Sequence, residues 1–307
     1  MNKVIKFNEW APLYSIERSD LDEVTVFGAV AFYLQSETDS QLVHQVGSDP
    51  LIFGRSLMKP FQMKVFAADL KDDLSDQQKA VAVASHAGQD IHLSMVHSMG
   101  TDLIRPLIKL AADHTCTGKH TALLRGCAKR GWPLENYLSA EHPYHQAYLK
   151  VLRRYLGAHW QPQVTAIDGC GLPTLSKKVS ELAELYAKLA FYSEEDWIFK
   201  SMTQNPDYVG GVGRLDTNIM NIGRGQIVAK EGADGLLGLS LQLPPRAGSK
   251  SRSLGVVIKI AQGYDLSALA ILAAEVLRPF GYELPVSRLY QLRPIVPRAV
   301  LEYDQQR

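Results

Sequence analysis

The hydrophobic period of this chain changes along its length, and that change limits its possible folds more than any other feature. Residues 24–34 (VTVFGAVAFYL) and 41–53 (QLVHQVGSDPLIF) are rich in apolar and β-branched types, and the polar SETDS between them reads as a hairpin turn. Strand-like runs return in strength at 226–260 as QIVAK, LLGLSLQL and SLGVVIKI, separated by EGADG and by the basic loop PPRAGSKSR. The later three complete the sheet that the first two begin, so the chain between them must leave the sheet and come back.

That middle section carries a helical period. After Phe53, Leu57, Phe61, Val65 and Ala68 recur at helical spacing, with Pro60 tolerated in a first turn, which places Ser56 at a helix N-terminus. Ser75-Asp76-Gln77-Gln78 matches a capping box and leads through KAVAVAS, delivering Ser85 into a Gly-containing turn. The pattern predicts further helices over 117–130, ending at Gly131, over 144–156, ending at Gly157, and over 175–190, where Leu175, Val179, Leu182, Leu185 and Leu189 align. VTAID at 164–168 reads as a short buried strand, and a last helix spans 266–278 before a Pro-containing tail. The predicted class is α/β (α+β): a mixed or antiparallel sheet flanked by helices, with a helical middle section. Neither an internal repeat nor a low-complexity linker interrupts 1–307, which reads as one intertwined unit.

Composition narrows the partners. Lys plus Arg number 33 against 32 Asp plus Glu in 307 residues, so a formal charge of +1 provides no global field for nucleic acid or anionic membrane. A small, weakly charged substrate fits better. The N-terminal residues interrupt their apolar types with charges, unlike a signal peptide, and no stretch approaches membrane-spanning length. Cys116, Cys127 and Cys170 are an odd, widely spaced set that suits a reducing compartment, and a cytoplasmic protein is expected.

Ser56-Leu57-Met58-Lys59 has S-x-x-K spacing, which on a helix brings hydroxyl and amine onto one face. A serine hydroxyl needs a neighbouring base, and a lysine whose pKa is lowered by burial or nearby cations can serve. Arg55 precedes this block and Pro60-Phe61-Gln62 follows it. Four more blocks come in order: Ser85-His86-Ala87-Gly88, Cys116-Thr117-Gly118-Lys119-His120, Asp168-Gly169-Cys170-Gly171-Leu172-Pro173, and Lys230-Glu231-Gly232-Ala233-Asp234-Gly235. Considered alone, Cys116 and Cys170 are compatible with buried reduced core residues, as is Cys127 beside Leu123 and Leu124. His86, His92 and His120 could orient a serine or be structural, Asp168 could bind an ammonium or simply make a turn, and Arg55 could clamp a carboxylate or form an ion pair. Gly210-Gly211-Val212-Gly213 lacks the setting of a dinucleotide loop and reads as a flexible turn.

In the order and content of these five blocks, from about Arg55 to Lys259, the chain resembles the Rhizobium-type L-asparaginases. The resemblance implies a fold related to serine β-lactamases and glutaminases, hydrolysis of the L-asparagine side-chain amide, and a homodimer. It implies two catalytic pairs, Ser56 with Lys59 and Ser85 with Lys230, with Ser56 the preferred nucleophile. It also implies a zinc site of Cys116, Lys119 and Cys170, and places Arg55, His86 and Asp168 beside the substrate. The interval from Ser85 to Cys116 is shorter than in that family, and Thr117, Asp234 and Gln262 replace its serine, glutamate and aspartate. Two other readings remain open: a glutaminase or penicillin-recognising serine hydrolase, and a catalytically silent ligand-binding descendant. No S-x-N triplet supports the penicillin-recognising hydrolase, whereas a binding role would not require both Ser-Lys pairs.

Overall fold

The computed structural model describes residues 9–245, 251–263 and 265–286. The tail beyond 286 and most of the basic loop, 246–250, lie outside the described residues. The strands are β1 (Ala11–Arg18), β2 (Leu21–Ser36), β3 (Ser40–Val46), β4 (Leu51–Phe53), β5 (Thr165–Ile167), β6 (Pro173–Lys178), β7 (Ile227–Gly232), β8 (Leu236–Leu243) and β9 (Arg252–Ile260). The first six helices are α1 (Lys59–Met63), α2 (Ala67–Leu70), α3 (Asp76–Ala82), α4 (Asp90–Met99), α5 (Thr117–Lys129) and α6 (Pro143–Leu156). The others are α7 (Val179–Phe191), α8 (Ile198–Gln204), α9 (Pro206–Val209), α10 (Leu215–Gly223) and α11 (Leu266–Leu277). The chain is thus mixed α and β with antiparallel strand pairs, as its periodicity predicts. None of the helices among the described residues is long and apolar enough to cross a membrane.

The described chain sorts into two compact units, each assembled from segments far apart in sequence. Among the described residues, the first comprises 9–52, 177–191 and 232–286. Its central strand is β2, whose first half pairs with β1 and whose second half runs between β3 and β9; β9 in turn pairs with β8. Val30, Ala31 and Phe32 at the centre of β2 are fully buried, as are Val256, Val257 and Ile258 opposite them on β9. Burial on both faces explains why these strands read as near-continuous apolar runs rather than alternating ones. Helix α7 lies directly on this sheet. A Cβ at Gly255 would meet the Ala183 carbonyl oxygen at 2.0 Å, and one at Gly238 would enter the Tyr186 ring at 2.5 Å, so only glycine lets the helix come so close. Ser240 and Ser253 donate to the carbonyls of Tyr186 and Ala187, at 2.6 and 2.7 Å, satisfying hydroxyls that the packing removes from water.

The second unit, residues 53–176 and 192–231, is mainly helical. Ser75 caps α3 through the reciprocal bonds the sequence predicts, Gln78 N to Ser75 Oγ at 3.2 Å and Ser75 N to Gln78 Oε1 at 2.9 Å. Helix α5 is buried along almost its whole length and stops just before Gly131, and α6 stops at Gly157.

Three sequence expectations require correction. The predicted helix over 175–190 begins only at Val179, because Pro173–Lys178 forms β6, paired antiparallel with β5. VTAID is not a buried strand: Val164 and Ile167 are 49% and 76% exposed, and the pairing, not burial, holds it extended. The predicted strand over 41–53 is divided, β3 ending at Val46 and β4 starting at Leu51, because Gly47 and Asp49 adopt left-handed backbone angles between them. Strand β1 was not legible at all, since Pro12 and the charged Glu17 and Arg18 obscure a run that pairs with β2 across two irregularities.

Candidate active site

All the candidate residues lie in the second unit. Gly54 leads into a 3-10 turn over Arg55–Met58 that continues as α1, with Pro60 in its first turn. Leu57, Met58 and Phe61 anchor this segment in the core. Arg55 adopts φ of +45°, a left-handed conformation uncommon for a side-chain-bearing residue and characteristic of sites where packing enforces strain. Its Nε donates to Asp168 Oδ1 at 2.9 Å. Asp168 closes a tight turn, with Gly171 N donating to its carbonyl at 2.8 Å and Gly169 N to its Oδ1 at 2.8 Å; φ of +87° at Gly171 makes the turn possible. Arg55, Ser56, Lys59, Cys116, Lys119 and Asp168 all line one narrow cleft, together with Gln62 and Tyr148.

Lys59 is 1% exposed, and its three N–H bonds meet three acceptors: Ala84 O at 2.5 Å, Ser85 Oγ at 2.9 Å and Thr115 O at 2.9 Å. The serine it bonds is therefore Ser85, not the Ser56 of its own motif. Burial lowers its pKa to about 8, with the Lys230 and Lys119 charges adding to the effect and Cys116 opposing it. When neutral, this amine can keep both carbonyl bonds and accept the Ser85 hydroxyl proton with its lone pair.

Ser85 sits in an extended segment stitched to the loop after α9. Ser85 N donates to Val209 O at 3.1 Å, Ala87 N to Gly210 O at 2.9 Å, and Val212 N to Gln89 Oε1 at 3.1 Å. The Gly210–Gly213 segment, expected only to be a flexible turn, helps hold the serine loop. His86 is fully buried and stacks on His92, with ring centroids 5.2 Å apart. Burial, then His92 and Lys59, lower the His86 pKa to about 3, so the ring is neutral. Its Nδ1 accepts from Gly88 N, which puts its proton on Nε2, and that atom has no partner among the described residues.

Lys230, on β7, is fully buried and bonds neither serine. Its Nζ donates to Glu231 O at 2.8 Å and faces Asp216 Oδ2 at 3.5 Å. Asp216, Glu231 and Arg214 were all missed by sequence reasoning. A signal was present: Asp216 shares a helix face with Ile219, Met220 and Gly223, and an acid on a buried face needs a partner.

Cys116 caps the start of α5, one turn before Lys119, while Cys170 lies in the Asp168–Leu172 turn. The Cys170 thiol hydrogen-bonds Cys116 and, with the Lys59 and Lys119 charges, holds the Cys116 thiol well below its ordinary range. Cys170 is pushed up by that same bond and by burial. The two sulfurs therefore share one proton, and Lys119 Nζ donates to Cys170 Sγ at 3.5 Å. No three His, Cys, Asp or Glu side chains that could hold a metal ion converge among the described residues. His120 bonds Tyr137 through Nδ1 at 2.8 Å, and its buried Nε2 has no partner among the described residues. Cys127 is fully buried, its thiol pushed up to about 12 by burial, and behaves as core.

Residues 15–103 and 108–306 match the family described as L-asparaginase II. The interruption, 104–107, falls inside the interval between Ser85 and Cys116 that the sequence reading finds short. No curated protein matches the chain. Among solved structures, a β-lactamase from Desulfarculus baarsii DSM 2075 is 16% identical with a TM-score of 0.41, over 81% of this chain and 92% of that one.

Proposed function

The chain belongs to the L-asparaginase II family, and from that membership we propose that it hydrolyses the side-chain amide of L-asparagine to L-aspartate and ammonia. The observation that supports this reading best is the buried Lys59 amine, poised at about 8 and bonded to Ser85, in a cleft that Ser56 also lines.

In the proposed reaction Ser56 Oγ bonds to the amide carbon, and its proton passes by way of the Ser85 hydroxyl, which is hydrogen-bonded to Lys59, to the neutral Lys59 amine. Lys59 returns that proton to the departing nitrogen as the C–N bond breaks, releasing ammonia and leaving an ester. Water then attacks the ester, giving a proton through Lys59 to Ser56 Oγ as aspartate leaves. Ser85 holds the Lys59 amine in place, Lys230 supplies a nearby positive charge, Arg55 receives the substrate α-carboxylate and Asp168 its amine, while His86, buried behind Ser85, supports the serine loop.

Two sulfurs, one already a thiolate, and a buried amine form a donor set that suits zinc, so Cys116, Lys119 and Cys170 would hold the ion. When bound, zinc would supply fixed positive charge and tie the start of α5 to the Asp168 turn. By the same family resemblance the protein is a cytoplasmic homodimer, and a monomeric mass by light scattering would overturn the dimer.

Ammonia release by the purified protein from L-asparagine, with L-glutamine as competing substrate, tests the reading. Release from asparagine that disappears in Ser56→Ala is the expected result. A folded, zinc-supplemented protein that releases ammonia from neither amide refutes it.

A further inference from the structure

Lys230 and Asp216 are both completely buried, and their closest atoms are 3.5 Å apart. Two acids lie near the amine, but they are not equivalent. Glu231 gives Lys230 its main-chain carbonyl, while its carboxylate is engaged by Arg214 Nε at 2.9 Å. Asp216 Oδ2 faces the amine and accepts Glu231 N at 3.2 Å, so one carboxylate oxygen holds both the lysine tip and the β7 main chain one residue beyond it. Burial favours the neutral amine, and Asp216 is the foremost group opposing it, ahead of Glu231.

The same helical turn reaches the serine loop. Thr217, next to Asp216, accepts Gly211 N at 3.2 Å and donates to Pro206 O at 3.1 Å. Asp216 Oδ1 and Thr217 Oγ1 would lie 2.2 and 2.6 Å from a Cβ on Gly210, so the loop is pressed directly against them. Val209 and Gly210 in turn hold the Ser85 and Ala87 main chain. The first turn of α10 thus joins Lys230 to the segment carrying Ser85, although the two side chains do not bond each other.

We propose that Asp216 is a positioning residue, which holds Lys230 in place and in its ammonium form so that Lys230 is a fixed positive charge behind the Lys59–Ser85 pair and not a second base. This rests on the hydrolase reading above. The Lys230 charge is close enough to act on the Lys59 amine that bonds Ser85, and Asp216 acts only through the lysine.

A double-mutant cycle on the full chain tests this, using Asp216→Asn, Lys230→Gln and both together, read by kcat and KM for asparagine and by thermal unfolding. Each single change is expected to lower kcat by about 10- to 100-fold with KM shifted less than about threefold, while Asp216→Asn costs nothing further once Lys230 is glutamine. Each single change lowers Tm, and the double variant recovers part of the loss, because a buried ion left alone is worse than no ion. An equal kcat loss from Asp216→Asn in both backgrounds, or unchanged kcat, overturns the proposal. If the parent protein releases no ammonia, the hydrolase reading fails by itself, and the unfolding cycle still decides the pairing: additive Tm losses overturn it. Should Asp216→Asn fail to fold, a folded double variant supports the pairing and an unfolded one refutes it.

Discussion

The pH dependence of turnover follows from the environment of Lys59. A base acts in its deprotonated form, so the rate rises with pH as the amine loses its proton. With a pKa of about 8 set chiefly by burial, about one molecule in eleven carries neutral Lys59 at pH 7 and about ten in eleven at pH 9. The kcat for asparagine should therefore rise roughly tenfold over that range, pass half its maximum near pH 8 and level off. A lysine at its ordinary 10.5 would instead give a rise of about 100-fold with no plateau below pH 9. The assay is ammonia release at saturating asparagine, because kcat reports groups in the bound complex and is insensitive to titration of free substrate. A flat kcat between pH 6.5 and 9, or one still climbing in proportion to hydroxide at pH 9, refutes Lys59 as the base.

Arg55→Lys should raise KM for asparagine on the order of tenfold to a hundredfold, with a smaller change in kcat, because an ammonium cannot reproduce the planar fork; unchanged KM removes Arg55 from substrate binding. Metal analysis of protein purified with zinc should find about one equivalent per chain, lost in Cys116→Ala and Cys170→Ala but kept in Cys127→Ala; retention after loss of both Cys116 and Cys170 would place the ion elsewhere. Lys177, completely buried, has its pKa lowered by burial to about 7. Between about 7 and 10.5 the unfolded chain holds more protons than the folded one, so this lysine makes stability increase with pH across that window, and its cost is fully present below it. Lys177→Met should accordingly stabilise the protein at pH 6 by about 1–4 kcal/mol in chemical unfolding and flatten that rise; a loss of stability at pH 6 contradicts the burial argument.

What the sequence determined by itself was local. The apolar runs of β2, β8 and β9, the Ser75 capping box, the ends of α5 and α6, and the S-x-x-K turn all depend on neighbours within a few residues, where period and hydrogen-bonding chemistry decide the outcome. The ordered motif blocks marked the family and supplied the candidate site residues. Only the tertiary structure decided how those blocks combine, because burial and hydrogen-bond partners are set by packing between distant segments. Lys59 meets a serine 26 positions away and a carbonyl 56 positions away, and Arg55 meets an acid 113 positions away. The S-x-x-K spacing suggested Ser56 as the partner of Lys59, yet the main chain of residues 84 and 115 draws the amine to Ser85. Asp216 stayed hidden for the same reason: an acid is conspicuous only once its helix face is known to be buried, and burial belongs to the folded chain, not to the order of its residues.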